Sequence, residues 1–282
     1  MANPVVSLLK TPWHIASEYY HRMPQRDFDW SFGDASVRRR ADPYVAALRR
    51  DGIVMLPAFF QGEMLEGLRA GFERVIANMP HRCTPDALQN TDFMTEDEVF
   101  MRAALDDLML EIVAGYYRKP FAIGNMAADR ILPTPVSRAH AKWHHDTRGR
   151  QLHMMILLHD VSANGQRMSY LARSHDRYYT HFRAHAESAC FEEDMQRALL
   201  EQPGLADRIV EVTGAAGTVA FFDANGLHTV NRNEVAKRDT LRFYYVSYRH
   251  FKKFSFRRAH LASLPPQKRK VITFNPKVDW VD

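Results

Sequence analysis

Between residues 62 and 79 the apolar positions Met64, Leu65, Leu68, Phe72, Val75 and Ile76 recur every three or four residues, and Pro80 stops the pattern. That period predicts a helix with one face in the core. The same period predicts helices over 43–50, closed by Asp51 and Gly52, and over 95–117, where Thr95-Glu96-Asp97-Glu98 reads as a capping box. A short apolar run at 53–60 reads as a strand between the first two helices. From about residue 121 the period shortens. Apolar and alternating runs predict strands over 121–131, 141–146, 151–161, 168–172, 209–212, 218–223 and 240–248. Glycine turns at 163–165 and 214–217 separate several of them, and a helical pattern returns as an insert over about 184–201. Helices first and many strands afterwards predict a mainly β protein, a double-sheet jelly roll with flanking helices covering one sheet.

No Gly/Ser- or Pro-rich linker and no internal repeat divides the chain. One domain over 1–282 is therefore expected: a mostly helical part over 1–120, a jelly-roll core over 121–250 and a basic extension over 251–282. With 46% hydrophobic and 25% charged residues, the chain has the composition of a globular protein with a large core. Cys83 and Cys190 make no disulfide framework and fit a reducing compartment. The first ten residues lack a basic region followed by an apolar run, and no segment approaches a membrane span. A cytoplasmic location with no membrane partner is expected.

The net charge of +5 is unevenly spread. Arg249, Lys252, Lys253, Arg257, Arg258, Lys268, Arg269 and Lys270 share one stretch without Asp or Glu, with Phe251, Phe254 and Phe256 interleaved. No nucleic-acid-binding motif accompanies this charge, so the stretch reads as a solvated extension packed by its aromatics. The positive balance suits an anionic or carrier-linked small molecule rather than nucleic acid.

His144 and Asp146 stand two residues apart. On a strand, side chains at i and i+2 share a face, so both can grip one ion while His145 points away. His228, after the strand at 218–223 and its turn, supplies a third ligand. Two imidazoles and one carboxylate suit Fe(II) and leave positions open for substrate and oxygen. Among fourteen histidines a His-x-Asp pair carries little alone; its place at a strand end, with His228 placed likewise, is what strengthens it. Arg238 follows at the start of an aromatic strand, where a planar guanidinium can hold a carboxylate through two parallel hydrogen bonds. On a continuous strand Arg238, Arg242, Tyr244 and Tyr248 share a parity, and Arg242 is the alternative anchor. Tyr244, Tyr248, Trp143 and Met155 are candidate pocket walls. His181 and His185 are spaced like a zinc pair, but no third ligand follows. His140 reads as a strand-entry residue.

These segments resemble the phytanoyl-CoA dioxygenase family, which includes ectoine hydroxylase-like enzymes. The resemblance rests on WHHD at 143–146, on LLHDVSANG at 157–165 with LARSH at 171–175, on GAAGTVAFFDANGLH at 214–228, and on Asn231 with Arg238 and the strand TLRFYYVSY at 240–248. It covers about 121–248. It implies an Fe(II)- and 2-oxoglutarate-dependent dioxygenase on a double-stranded β-helix, with O2 as co-reactant and succinate and CO2 as products. It implies iron ligation by His144, Asp146 and His228, and a grip by Arg238 on the far carboxylate of 2-oxoglutarate. His153, on the strand after the metal motif, stands where relatives place another polar cosubstrate contact. The chain departs from the family where Pro-Gly is usual before Ser-His, having Ala172-Arg173, and at Val230, where serine is frequent. Thr229 is a candidate replacement for the missing hydrogen bond. Related halogenases lack the carboxylate that Asp146 provides, so the resemblance implies hydroxylation or another oxidation of a small metabolite or natural-product intermediate.

Two other readings stay open at this point. One is a cupin-like metal enzyme that does not use 2-oxoglutarate, against which Arg238 argues. The other is a non-catalytic binding protein with the basic 249–270 segment as its surface, against which the intact triad argues.

Overall fold

The computed structural model describes residues 20, 23–78, 82–84, 86–134, 143–146, 150–176, 189–190, 203–231, 236–248 and 250–282. Helix α1 (Ala35–Asp51) starts earlier than the apolar period predicts, because the Asp34 carboxylate accepts the Ser36 and Val37 amides. Pro43 lies inside it and forfeits one ladder hydrogen bond without ending the helix. Gly52, at φ 78°, closes it, its amide bonding Leu48 O. Strand β1 (Ile53–Leu56) and helix α2 (Gly62–Asn78) follow. Then comes a hairpin that the hydrophobic pattern does not predict, β2 (Arg82–Thr84) with β3 (Ala87–Asn90). The single helix expected over 95–117 is two, α3 (Glu98–Ala104) and α4 (Asp107–Tyr117). The caps are Asp97 and Asp106, not Thr95: Asp97 accepts the Val99 amide, and Asp106 accepts those of Leu108 and Met109. A second strong cap inside one apolar period splits the helix in two.

The strands after this are β4 (Ala122–Ile131), β5 (His144–His145), β6 (Gln151–Leu157), β7 (Met168–Leu171), β8 (Ala189–Cys190), β9 (Ile209–Val212), β10 (Val219–Asp223), β11 (His228–Val230) and β12 (Arg238–Val246). The larger sheet runs β1-β10-β6-β12-β4-β3-β2, and the smaller runs β8-β5-β11-β7-β9. Eight of these strands, β4, β6, β10 and β12 facing β5, β7, β9 and β11, form the expected jelly roll; all their pairings are antiparallel. Of the helical insert expected at 184–201, only β8 is described, paired with β5, and the rest lies outside the described residues.

Alternation along each strand builds two cores. Leu152, Met154 and Ile156 of β6, Val219 and Phe221 of β10, and Leu241, Phe243 and Tyr245 of β12 pack with the helices. Their neighbours Met155, Leu157, Ala220 and Phe222 point between the sheets, toward Met168, Tyr170 and Val212. Gly217 turns into β10 at φ 79°, and a Cβ there would lie 1.8 Å from Phe60 O, so no other residue fits.

The basic C-terminal stretch folds back as β13 (Phe254–Arg257), α5 (Arg258–Ser263), α6 (Pro266–Thr273) and β14 (Val278–Val281). Phe254 and Phe256 are fully buried in the helix-side core, and each such burial is worth about 1.5–3 kcal/mol. Lys252 N donates to Gly124 O at 2.6 Å, and Asn275 Nδ2 donates to Ile123 O at 3.1 Å. The aromatics pack as expected, but the stretch is a layer of the fold rather than a solvated tail. No helix among the described residues is long and apolar enough to cross a membrane.

Candidate metal centre

The two-residue strand β5 pairs His144 with His228 of β11, which sets the two imidazoles side by side with ring centroids 4.4 Å apart. Asp146 lies just past β5, yet its amide still donates to Ala224 O at 3.0 Å, so the chain stays in line with the strand. Asp146 Oδ1 then stands 3.5 Å from both His144 Nε2 and His228 Nε2. One ligand atom from each of the three lies within 4.8 Å of the others. Neighbouring ligands on an ion with bonds of about 2.1 Å are roughly 3 Å apart, so the donor set fits a divalent ion with little adjustment.

The turn before His228 holds it rigidly. Asp223, fully buried, accepts Tyr116 Oη at 2.6 Å and the Asn225 amide at 2.9 Å. The Asp223 carbonyl accepts Tyr170 Oη and the Gly226 amide, each at 2.9 Å. Ser174 Oγ accepts the Leu227 amide at 2.8 Å, and Asn225 Nδ2 donates to His175 O at 2.5 Å. Ser174 and His175 of the LARSH stretch therefore brace this turn. His228 Nδ1 lies 2.9 Å from Gly226 O; a carbonyl only accepts, so Nδ1 carries the proton and Nε2 keeps its lone pair for an ion.

Burial pushes the Asp146 carboxyl up, and the nearby His228, His144 and His153 rings more than reverse this, holding it well below the usual carboxylate range. The carboxylate is thus ready to bind a cation. His153 sits behind it. It is buried, with Nδ1 3.8 Å from Asp146 Oδ2, Nε2 3.2 Å from Gln151 Oε1 and its ring 4.0 Å from that of Tyr244. Burial is the main force that keeps the His153 ring neutral.

A cavity of about 290 Å³ opens beside the triad. His144, Asp146, His228, Arg238, Arg242, Tyr244, Met155, Met168, Phe222 and Val230 are among its walls, as are Arg82, Thr84, Asp86 and Gln89 from the β2–β3 hairpin and Asp129 from β4. Both sequence candidates for the anchor, Arg238 and Arg242, face it from β12. Arg242 is already engaged: Nε and Nη2 reach Asp129 Oδ2 at 2.8 and 2.7 Å. Of the residues singled out from sequence, Tyr244 and Met155 line the cavity, while Trp143, Tyr248, Thr229 and His153 do not. His140, His181 and His185 fall outside the described residues. The pattern along the chain misses Asp129 and the hairpin residues; a carboxylate inside the apolar run AIGNMAADRI was the readable signal.

No family model and no curated protein matches the sequence. Solved structures do. The epimerase SnoN from nogalamycin biosynthesis, in complex with Fe3+, alpha ketoglutarate and nogalamycin RO, superposes with a TM-score of 0.57 at 19% identity, covering 76% of this chain and 85% of its own. EctD from S. alaskensis, with 2-oxoglutarate and 5-hydroxyectoine, gives 0.57 at 20% identity over 80% and 79% of the two chains. HygX from Streptomyces hygroscopicus, with nickel, 2-oxoglutarate and hygromycin B bound, gives 0.55 at 17% identity over 76% and 90%. The fold is that of the jelly-roll 2-oxoglutarate-dependent enzymes. The shared jelly roll spans most of each chain, whereas the low identity leaves the chemistry to be argued from this chain's own residues.

Proposed function

We propose that the chain is an Fe(II)- and 2-oxoglutarate-dependent dioxygenase that oxidises an unactivated C–H bond of a small metabolite or natural-product intermediate. The observation that carries the reading is the convergence of His144, Asp146 and His228 on one point of a cavity whose wall also presents Arg238. His144 Nε2, Asp146 Oδ1 and His228 Nε2 would hold the metal, and Arg238 would hold the far carboxylate of 2-oxoglutarate. Held there, iron with 2-oxoglutarate and O2 would supply the oxidising power, with succinate, CO2 and a hydroxylated substrate as products.

The chain's own residues provide geometry. The Asp223 turn and the Gly226 carbonyl fix the His228 tautomer, and His153 backs Asp146. Met155, Met168 and Phe222 make the cavity wall apolar near the triad and exclude water. Asp146 keeps the carboxylate ligand whose loss would free a halide position, which favours oxidation over halogenation. The motifs shared with the phytanoyl-CoA dioxygenase family support membership of that branch. The bound nogalamycin RO and hygromycin B of SnoN and HygX make a natural-product intermediate a natural first choice of substrate.

The test is turnover: aerobic incubation with Fe(II), 2-oxoglutarate, ascorbate and a library of natural-product intermediates, with succinate measured. Succinate release that rises with one library member and vanishes in His144→Ala is expected. Substrate oxidation without 2-oxoglutarate consumption would assign the barrel to a cupin-like metal enzyme instead.

A further inference from the structure

The larger sheet carries a row of polar side chains that neither the triad nor Arg238 uses. Arg82 of β2 stands opposite Gln89 of β3, and Gln89 stands opposite Asp129 of β4. Asp129 faces Thr240 of β12, and Arg242 is two residues further along that strand, on the same face. One side chain from each of four consecutive strands thus forms a rung across the cavity wall, where all four are exposed to the cavity. Gln89 Nε2 donates to Asp129 Oδ1 at 2.6 Å, and Arg242 donates to Asp129 Oδ2.

The charged groups that the rung leaves for a ligand are donors, with the Gln89 side-chain carbonyl as its neutral acceptor. Both Asp129 oxygens are taken, one by Gln89 and one by Arg242. The other carboxylate of the hairpin wall, Asp86, accepts Thr84 Oγ1 at 2.7 Å. The charged groups of the rung that remain toward the cavity are the Arg82 guanidinium, which forms no ion pair among the described residues, and the outer edge of Arg242. Both guanidinium groups line the one cavity, and a planar guanidinium pairs its donors with two acceptor oxygens of an oxyanion. Asp129 also fixes the Arg242 orientation in advance, so less freedom is lost when a ligand binds.

The rung also stands at the right depth. Arg242 lies two residues from Tyr244, whose ring touches His153 behind Asp146, and Arg238 lies four residues from Arg242 along the same strand. Asp129 holds the Nε and Nη2 side of Arg242, and the function proposed above gives the cosubstrate to Arg238. We infer that the rung Arg82–Gln89–Asp129–Arg242 is the substrate subsite, and that the substrate carries an oxyanion (carboxylate, sulfate or phosphate) seated there with its reactive carbon toward the triad. This rests on the function proposed above.

The test uses the full chain loaded without oxygen with Fe(II) and saturating 2-oxoglutarate. Acetate, sulfate and inorganic phosphate are titrated in turn at constant ionic strength and read by calorimetry. At least one should bind saturably to the wild type. Arg82→Gln, an exposed change that leaves the core intact, should weaken that probe by about tenfold, the loss of one charge-assisted hydrogen bond, with 2-oxoglutarate affinity unchanged. Arg242→Lys should do the same, and Arg238→Gln should weaken 2-oxoglutarate instead. No saturable binding of any probe, or binding unchanged in both Arg82→Gln and Arg242→Lys, overturns the subsite. If the wild type takes up no 2-oxoglutarate, the proposed function fails. The rung is then tested by thermal denaturation of the metal-free chain with the same probes: a midpoint rise lost in Arg82→Gln sustains it, and no rise overturns it.

Discussion

Asp146 is held by its neighbours more than by its strand. The two-residue β5 ends before it; the Ala224 carbonyl holds its backbone amide, and His144, His228 and His153 surround its carboxylate. Replacing His144 or Asp146 by Ala should therefore lower Fe(II) affinity by tenfold or more without unfolding the chain; equilibrium dialysis with near-ultraviolet circular dichroism checks both halves, and second-sphere changes alone cost about 10–100-fold in comparable sites. Arg238→Gln should raise the 2-oxoglutarate dissociation constant by about tenfold or more while leaving metal affinity alone, since it removes a charge-assisted pair and touches no ligand. At this scale the sequence points where chemistry demands a residue type at a spacing, and His144, Asp146, His228 and Arg238 all reach one cavity. The sequence is opaque for Arg82 and Gln89 and gives only a carboxylate in an apolar run for Asp129, because the three meet through the register of three strands.

Among the elements, the turn between β10 and β11 matters most, because it carries His228 and supplies the carbonyl that Asp146 binds. Gly226 is pressed against Tyr170: a Cβ there would lie 1.9 Å from Tyr170 Oη. Gly226→Ala should displace the turn and the His228 ring with it, so metal affinity should fall more steeply than stability does, as dialysis beside urea denaturation will show. The glycine of this turn and the strands around it are readable from sequence. The β2–β3 hairpin is not, since strands of three and four residues with mixed polarity leave no periodic trace. The split of one expected helix into α3 and α4 is hidden for another reason: Asp97 and Asp106 cap only once the backbone is seen to break at Leu105.

For the whole molecule, helices and jelly roll are joined by buried charge. Arg130 of β4 stands over the Phe72 ring of α2, pairs with Glu73 of the same helix and pairs with Asp239 of β12. Burial raises the Asp239 carboxyl, but its Arg130 and Lys237 partners outweigh this and lower it. A depressed folded-state value means that its stabilisation is complete above the ordinary value of 3.8 and is lost as pH falls below that toward the folded value. Thermal midpoints should drop in that acid range. Asp239→Asn should flatten the drop and destabilise the chain at neutral pH by about 3 kcal/mol, the cost of leaving Arg130 half-paired. The order of helices and strands made the jelly roll legible, because a long run of alternating segments has few ways to pack. The C-terminal layer was not legible, because its eight basic residues mask two phenylalanines that the core absorbs.

One measurement decides whether His144, Asp146 and His228 hold iron. Fe(II) added without oxygen to the purified chain, followed by 2-oxoglutarate, should produce a visible charge-transfer absorption that saturates at one equivalent of metal. His144→Ala should not show it. Absence of the band in the wild type, or an undiminished band in His144→Ala, would contradict the triad as the iron site.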